Sequence, residues 1–152
     1  MKIKKIDATE GHLVYKLFND YRIFYKQTSN LALARQFIQA QLDHKESVVF
    51  VALDDINTPN GFTQLYPKYS SMRATKNWIL NDLFVVKENR KQGVGAALIR
   101  KAISFAAQND ATWLQLETAT DNYAAQSLYE QIGFERQKPD TDFITYRIGV
   151  KI

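Results

Sequence analysis

Cysteine is absent from this chain of 152 residues, which excludes disulfides, thiolate metal ligands and a cysteine nucleophile. Histidine is scarce. His12 and His44 stand in separate polar contexts, and two are too few for a typical zinc site, so no metal is expected. No apolar run approaches the roughly 20 residues that span a bilayer. The opening MKIKKIDATE carries charges where a secretory signal needs an apolar core. A cytoplasmic protein without a membrane partner is therefore the expectation. Neither sign of charge dominates: Lys and Arg number 20 against 16 Asp and Glu, a net charge of +4, and no dense basic block accounts for the difference. No helix-turn-helix, zinc-finger or aromatic RNA-binding signature occurs, so nucleic acid is not an expected partner. The small surplus describes a mildly basic surface or a site for an anionic ligand.

What the chain does have is an even supply of apolar residues, 45% of the total. At this length that suffices for a stable core and argues against disorder. Residues 1–6 alternate apolar and charged, as a short edge strand does. Over residues 11–26, Val14, Leu17, Phe18, Tyr21, Phe24 and Tyr25 recur at three- and four-residue spacing, which predicts an amphipathic helix. Asn30 is placed to cap a second helix carrying Leu33, Phe37, Ile38 and Leu42 on one stripe. SVVFVAL (residues 47–53) reads as a buried strand, and the turn-rich stretch after it closes on Asn60-Gly61, a hairpin signal. Residues 62–66 return as its partner, and 67–77 are polar and irregular, predicting an exposed loop.

WILNDLFVV (residues 78–86) is a long strand broken in its middle by Asn81-Asp82, two polar residues that demand an explanation. A glycine turn then leads into a helix through about Gln108. Residues 112–118 form the next strand, and Asp121-Asn122 start a helix that Gly133 ends. Residues 143–150 close the chain as a strand. The order β-α-α-β-β-β-α-β-α-β, without repeat or linker, predicts one α/β domain over residues 1–152. It is built on a mixed, mostly antiparallel sheet flanked by helices.

The strongest single feature is Arg90-Lys91-Gln92-Gly93-Val94-Gly95, set between a buried strand and a helix. Its glycines let backbone N–H groups approach a ligand, and the helix start adds unpaired N–H groups and a positive dipole end. It is neither a dinucleotide fingerprint, since Leu98 stands where the third glycine belongs, nor a Walker loop. An ordinary strand-to-helix turn is the alternative.

In context, LNDLFVVKENRKQGVGAAL resembles the acetyl-CoA-binding motif of the GNAT family of N-acetyltransferases, R/Q-x-x-G-x-G/A after a strand, with Arg90, Gly93 and Gly95 in its defining positions. DNYAAQSLYEQIGF resembles the family's second segment, N-x-x-A-x-x-L-Y-x-x-x-G-F, matched by Asn122, Ala125, Leu128, Tyr129, Gly133 and Phe134. The resemblance covers essentially the whole chain. It implies splayed central strands with pantetheine in the gap. Leu83, Phe84 and Val85 would face the ligand through their backbone, residues 90–95 (Arg90, Lys91, Gln92, Gly93, Val94, Gly95) would hold the pyrophosphate, and Asn122 and Tyr129 would complete the coenzyme site.

Asn81-Asp82 is then the place for a bulge that causes the splay, and N–H groups at Leu83 or Phe84 would polarise the thioester carbonyl. Tyr129 would protonate the departing thiolate; the alternative is a core aromatic. A base is also required, because an alkyl amine of pKa about 10.4 costs about 4 to 5 kcal/mol to deprotonate at neutral pH. Asp82 and Glu117 are the candidates.

With neither a cysteine nor a G-x-S-x-G serine, direct attack by the amine in a ternary complex is expected. The resemblance places the acceptor among the first two helices and the loops by the splay, where Asp20, Tyr21, Tyr25, Gln64 and Tyr66 lie. LFNDYRIFYKQ and GFTQLYPKYSS resemble a subgroup with diamine, polyamine, D-amino-acid and fungal histone acetyltransferases. The implied substrate is a small cationic amine such as a diamine, polyamine or amino acid. The alternatives are a protein lysine or N-terminus, and a non-catalytic coenzyme A-binding module. The resemblance also implies a homodimer, joined through the strand over 143–150.

Overall fold

The computed structural model describes residues 1–151. Five strands form one sheet in the order β1-β2-β3-β4-β5: β1 (Lys2–Lys5), β2 (Val48–Leu53), β3 (Pro59–Ser70), β4 (Thr75–Val85) and β5 (Leu114–Gln115). The first four pair antiparallel and β5 runs parallel to β4. The helices are α1 (Tyr15–Phe24), α2 (Leu31–Asp43), α3 (Val94–Gln108) and α4 (Tyr123–Ile132), with 3-10 turns at Gly11–Leu13 and Lys87–Asn89. The chain divides into two units, Met1–Glu117 and the residues from Thr118 onward. Among the described residues no helix is long and apolar enough to cross a membrane.

Both sheet faces of the first unit are covered. Under α1 and α2, Val14, Leu17, Phe18, Ala34, Ile38 and Leu42 pack on Val49, Val51, Leu53 and Phe62. Phe18 meets Phe62 edge-on at 6.2 Å. On the other face α3 buries Leu98, Ile99, Ala102 and Ala106, and Phe105 abuts Phe50 and Trp78 at 5.7 and 5.0 Å. Each large side chain buried here contributes about 1.5–3 kcal/mol.

Several local expectations are corrected. The helix expected over 11–26 is split, because Gly11 is wedged in a 3-10 turn where a Cβ would stand 2.6 Å from Gln39 Oε1. The β2–β3 turn is not at Asn60-Gly61. Asp54 Oδ1 accepts from the N–H groups of Ile56 and Thr58, at 3.0 and 2.9 Å, and Asn57 takes φ +63°, so the side chain of Asp54 makes the turn earlier. Gly61 lies inside β3 for a different reason: a Cβ there would meet Phe84 O at 3.0 Å and Val94 at 3.2 Å, so its absence lets α3 approach the sheet.

Residues 67–77 are not a loop. The β3–β4 ladder continues from Tyr66↔Ile79 to Ser70↔Thr75 around a turn at 71–74; Lys68, Tyr69 and Lys76 are exposed along it, and Asn77 is buried. Pro67 is tolerated because β2 ends opposite Leu65, leaving β3 only one neighbour at that point. Finally, residues 143–150 carry no strand, and Phe143, Ile144, Tyr146, Ile148 and Val150 are exposed. The segment has strand-forming composition without a hydrogen-bonding neighbour among the described residues.

Candidate functional site

The polar break in the fourth strand is a bulge. Gln64 pairs with Asp82 and Leu65 with Leu80, so Asn81 is an extra residue in β4. Its consequence appears on the far side of that strand. Buried Asn77 accepts from the N–H groups of Thr112 and Trp113, at 2.7 and 3.1 Å, which pins the start of β5 to β4. Pairing then lasts only for Trp78↔Leu114 and Ile79↔Gln115. The strand expected over 112–118 is cut to two residues because β4 bends away at the bulge. The strands open into a cleft of about 340 Å³ lined by Lys68, Ile79, Leu80, Asn81, Gln115 and Glu117. Beyond Ile79, the edge of β4 that carries Leu83, Phe84 and Val85 is not paired with β5.

At the end of β4 the chain enters the glycine turn. Arg90 Nε donates to Val85 O at 2.8 Å, and its guanidinium lies over Phe24 and Phe84 at 5.5 and 5.6 Å. This arginine therefore fastens the turn to the strand. Gln92 Nε2 donates to Glu88 O at 3.2 Å, which leaves ligand contact to its backbone. Lys91 takes φ +61° and Gly93 φ +83°, the left-handed region that glycine enters without penalty. Gly93 is also the N-cap of α3 and supplies no capping side chain. By contrast, Asn30 Oδ1 caps α2 through Leu33 N at 3.0 Å, and Asn122 Oδ1 caps α4 through Ala125 N at 3.2 Å. The first turn of α3 thus keeps its N–H groups and dipole end open to an anion, which fits a pyrophosphate.

On the face covered by α1, a polar cluster replaces the apolar core. Asp82 is 3% exposed. Its carboxylate accepts from Gln64 Nε2, from Asn81 Nδ2 at 2.8 Å and from the Tyr21 hydroxyl. Burial pushes its carboxyl above the ordinary range; the three donors oppose that shift, and desolvation wins. Tyr21 is raised by its own burial, then by the Asp82 charge and their hydrogen bond. Tyr66 is pushed up to about 12 by burial and by the charges of Asp82 and Glu46. Both phenols therefore stay protonated at neutral pH and can donate. Asn81 belongs to both features: it lines the cleft and bonds the Asp82 carboxylate.

Of the proposed acceptor residues, Tyr21, Tyr66 and Gln64 come together around Asp82. Tyr25 is exposed and packs on Tyr21 at 5.0 Å. Asp20 stands apart, paired with Lys16 at 2.8 Å along α1. Gln64, expected on a pocket wall, is fully buried with both ends of its amide engaged. Glu117 is exposed on the cleft wall. In the second unit Tyr129 is half-buried on α4, its ring 6.0 Å from that of Phe134. Sequence reasoning passed over Glu46, Ser47 and Asn77; only strand register could have shown the last two.

Residues 12–134 match the model of the acetyltransferase (GNAT) family. The chain belongs to that family. Its relatives include an uncharacterized N-acetyltransferase, YhfO, of Bacillus subtilis, 42% identical over 99% of this chain and 98% of that one. A probable acetyltransferase of Haemophilus influenzae is 31% identical over 89% and 90% of the two chains. The crystal structure of a probable acetyltransferase matches with a TM-score of 0.86 at 36% identity, covering 99% of each chain. This GNAT acetyltransferase is thus an enzyme of acetyl transfer, with acetyl-CoA as its co-substrate.

Proposed function

We propose that this acetyltransferase moves the acetyl group of acetyl-CoA onto a primary amine of a small cationic molecule, such as a diamine, a polyamine or a basic amino acid. The observation that carries the reading is the buried Asp82 carboxylate ringed by Tyr21 and Tyr66, with Tyr25 packed beside them. Carboxylate charge and aromatic faces both attract an ammonium group. Glu46 adds a second negative charge on the Tyr66 side.

Acetyl-CoA supplies an activated acyl group and a thiolate that leaves. The first turn of α3 and the backbone of residues 92–95 bind its pyrophosphate. The unpaired edge of β4 at Leu83, Phe84 and Val85 holds its pantetheine arm, and an N–H there polarises the thioester carbonyl. The amine nitrogen gives its proton to the Tyr21 oxygen as Tyr21 passes its own to Asp82. The freed nitrogen then attacks the carbonyl carbon and forms the amide bond as the carbon–sulfur bond breaks, releasing its second proton to solvent, from which Tyr129 is later reprotonated. Tyr129 gives a proton to the sulfur, and Asn122 keeps α4 in register by capping it. Glu117, on the cleft wall, is the alternative base.

Acetyl-CoA is expected to raise the melting temperature of the free protein, since a ligand held only by the folded state stabilises it. At Gly93 a Cβ finds nothing within 4 Å, so Gly93→Val meets the cost of positive φ and fills the anion cradle without disturbing the core. The thermal shift should be lost in that variant; a full shift there would show that the coenzyme binds elsewhere.

The acceptor class is tested by specificity constants for a diamine, a basic amino acid, a lysine peptide and a neutral monoamine of similar size. The small cations should be favoured by at least tenfold, about 1.4 kcal/mol. Preference for the neutral amine would overturn the class, and preference for the peptide would make a protein the substrate.

A further inference from the structure

Two buried side chains behind Asp82 take no part in the chemistry above. Gln64 is fully enclosed on β3, and its amide spans two polar groups. Nε2 donates to Asp82 Oδ2, and Oε1 accepts from Ser47 Oγ at 2.7 Å. Ser47, 7% exposed, stands at the head of β2 on the face that continues through Val49 and Val51 into the apolar core. Polar groups this deep persist only when every partner is matched.

The line has a direction. An ionised carboxylate can only accept, so Gln64 must present its NH₂ end to Asp82. Its carbonyl is then driven to the opposite side, where the Ser47 hydroxyl donates to it. The reversed amide would set carbonyl against carboxylate.

We infer that Gln64 and Ser47 are positioning residues for the base, holding the Asp82 carboxylate in one orientation toward Tyr21 and supporting its ionised form at depth. The inference rests on the reading of Asp82 as the base. Of the three donors to Asp82, Tyr21 is the one that passes the proton and Asn81 is exposed on the cleft wall. Gln64 is the donor that stays in place throughout the cycle. The titratable groups facing Asp82 are Tyr21 from α1 and Tyr66 from β3, both protonated at neutral pH; Glu46 acts on Tyr66. Among the described residues no Lys, Arg or His forms an ion pair with Asp82. The support for its charge therefore comes from neutral donors, and losing one should move its titration.

The experiment follows the carboxyl carbon of Asp82 by NMR through a pH titration of the folded, ligand-free protein. In parallel, turnover is measured against pH with saturating acetyl-CoA and putrescine as the probe amine. Gln64→Leu removes a donor to a charged group, so the Asp82 midpoint should rise by about one pH unit or more, and the acid limb of turnover should move with it. Ser47→Ala should shift the midpoint less, in the same direction, and Ser47→Thr, which keeps the hydroxyl, should restore it. A merely structural role would lower the melting temperature and leave the midpoint in place; an unmoved midpoint in folded Gln64→Leu overturns the inference. Should that variant fail to fold, the Ala and Thr pair at Ser47 decides by the same criterion. Failure of the base itself looks different: Asp82→Asn would then keep its turnover, whatever the variants at Gln64 and Ser47 do to the titration.

Discussion

Asp82→Asn should lower turnover by roughly 100- to 10,000-fold, the usual contribution of a positioned base. Asparagine keeps the size of the side chain and can still accept from Asn81 or Gln64, so the bulge and the fold should survive. What it cannot do is take a proton from Tyr21. The same substitution has a second, opposite signature in stability. Burial raises the Asp82 carboxyl in the folded state, so the folded chain holds that proton more tightly than the unfolded chain, where an aspartate titrates near ~3.9. The wild type therefore loses stability as pH rises from that value through the raised one, and the deficit remains at neutral pH. The substituted amide carries no charge at any pH. The melting temperature of the variant relative to wild type should climb between about pH 4 and neutrality. Turnover and melting curves across that range check both halves. A folded variant with unchanged turnover would exclude Asp82 as the base. If Glu117→Gln produced the large loss instead, the base would stand on the cleft wall.

The second large effect belongs to Tyr129. Tyr129→Phe removes one hydroxyl and keeps the ring that packs against Phe134. If the hydroxyl protonates the sulfur, turnover should fall by roughly 100- to 10,000-fold while the Michaelis constant for acetyl-CoA changes little. A loss made only in the transition state lowers turnover and specificity constant together. Steady-state kinetics with acetyl-CoA as the varied substrate separate this from a binding defect. Unchanged turnover would reduce Tyr129 to packing.

Much of the arrangement is governed by rules that act over a few residues, and those parts were legible. Asn30 and Asn122 cap helices because their side chains reach N–H groups three residues on. Gly133 ends α4 at φ +122° and Gly93 turns at φ +83°, conformations glycine adopts freely. The polar pair Asn81-Asp82 in an apolar strand announced a bulge, and there is one. Local reasoning failed where a longer-range partner decides. Asn60-Gly61 resembles a turn, yet the side chain of Asp54 makes the turn first and α3 claims the space beside Gly61. Residues 67–77 are as polar as a loop, yet the ladder runs through them. Residues 143–150 have the composition of a strand, and composition alone does not supply a neighbour.

The sequence by itself determined the family, the glycine turn before α3 and the order of the helices and most of the strands, because the motif residues Arg90, Gly93, Gly95, Asn122 and Tyr129 occur at fixed separations along one chain. Only the tertiary structure decided the surroundings of Asp82. Whether that carboxylate is exposed or buried depends on α1 covering its face. It also depends on the one-residue slip at Asn81 that sets Asp82 opposite Gln64, and on Gln64 lying within reach of Ser47. Gln64 is 18 positions from Asp82 and 17 from Ser47. Their meeting is fixed by strand register and helix packing, which sum over the whole core and leave no mark at any single position.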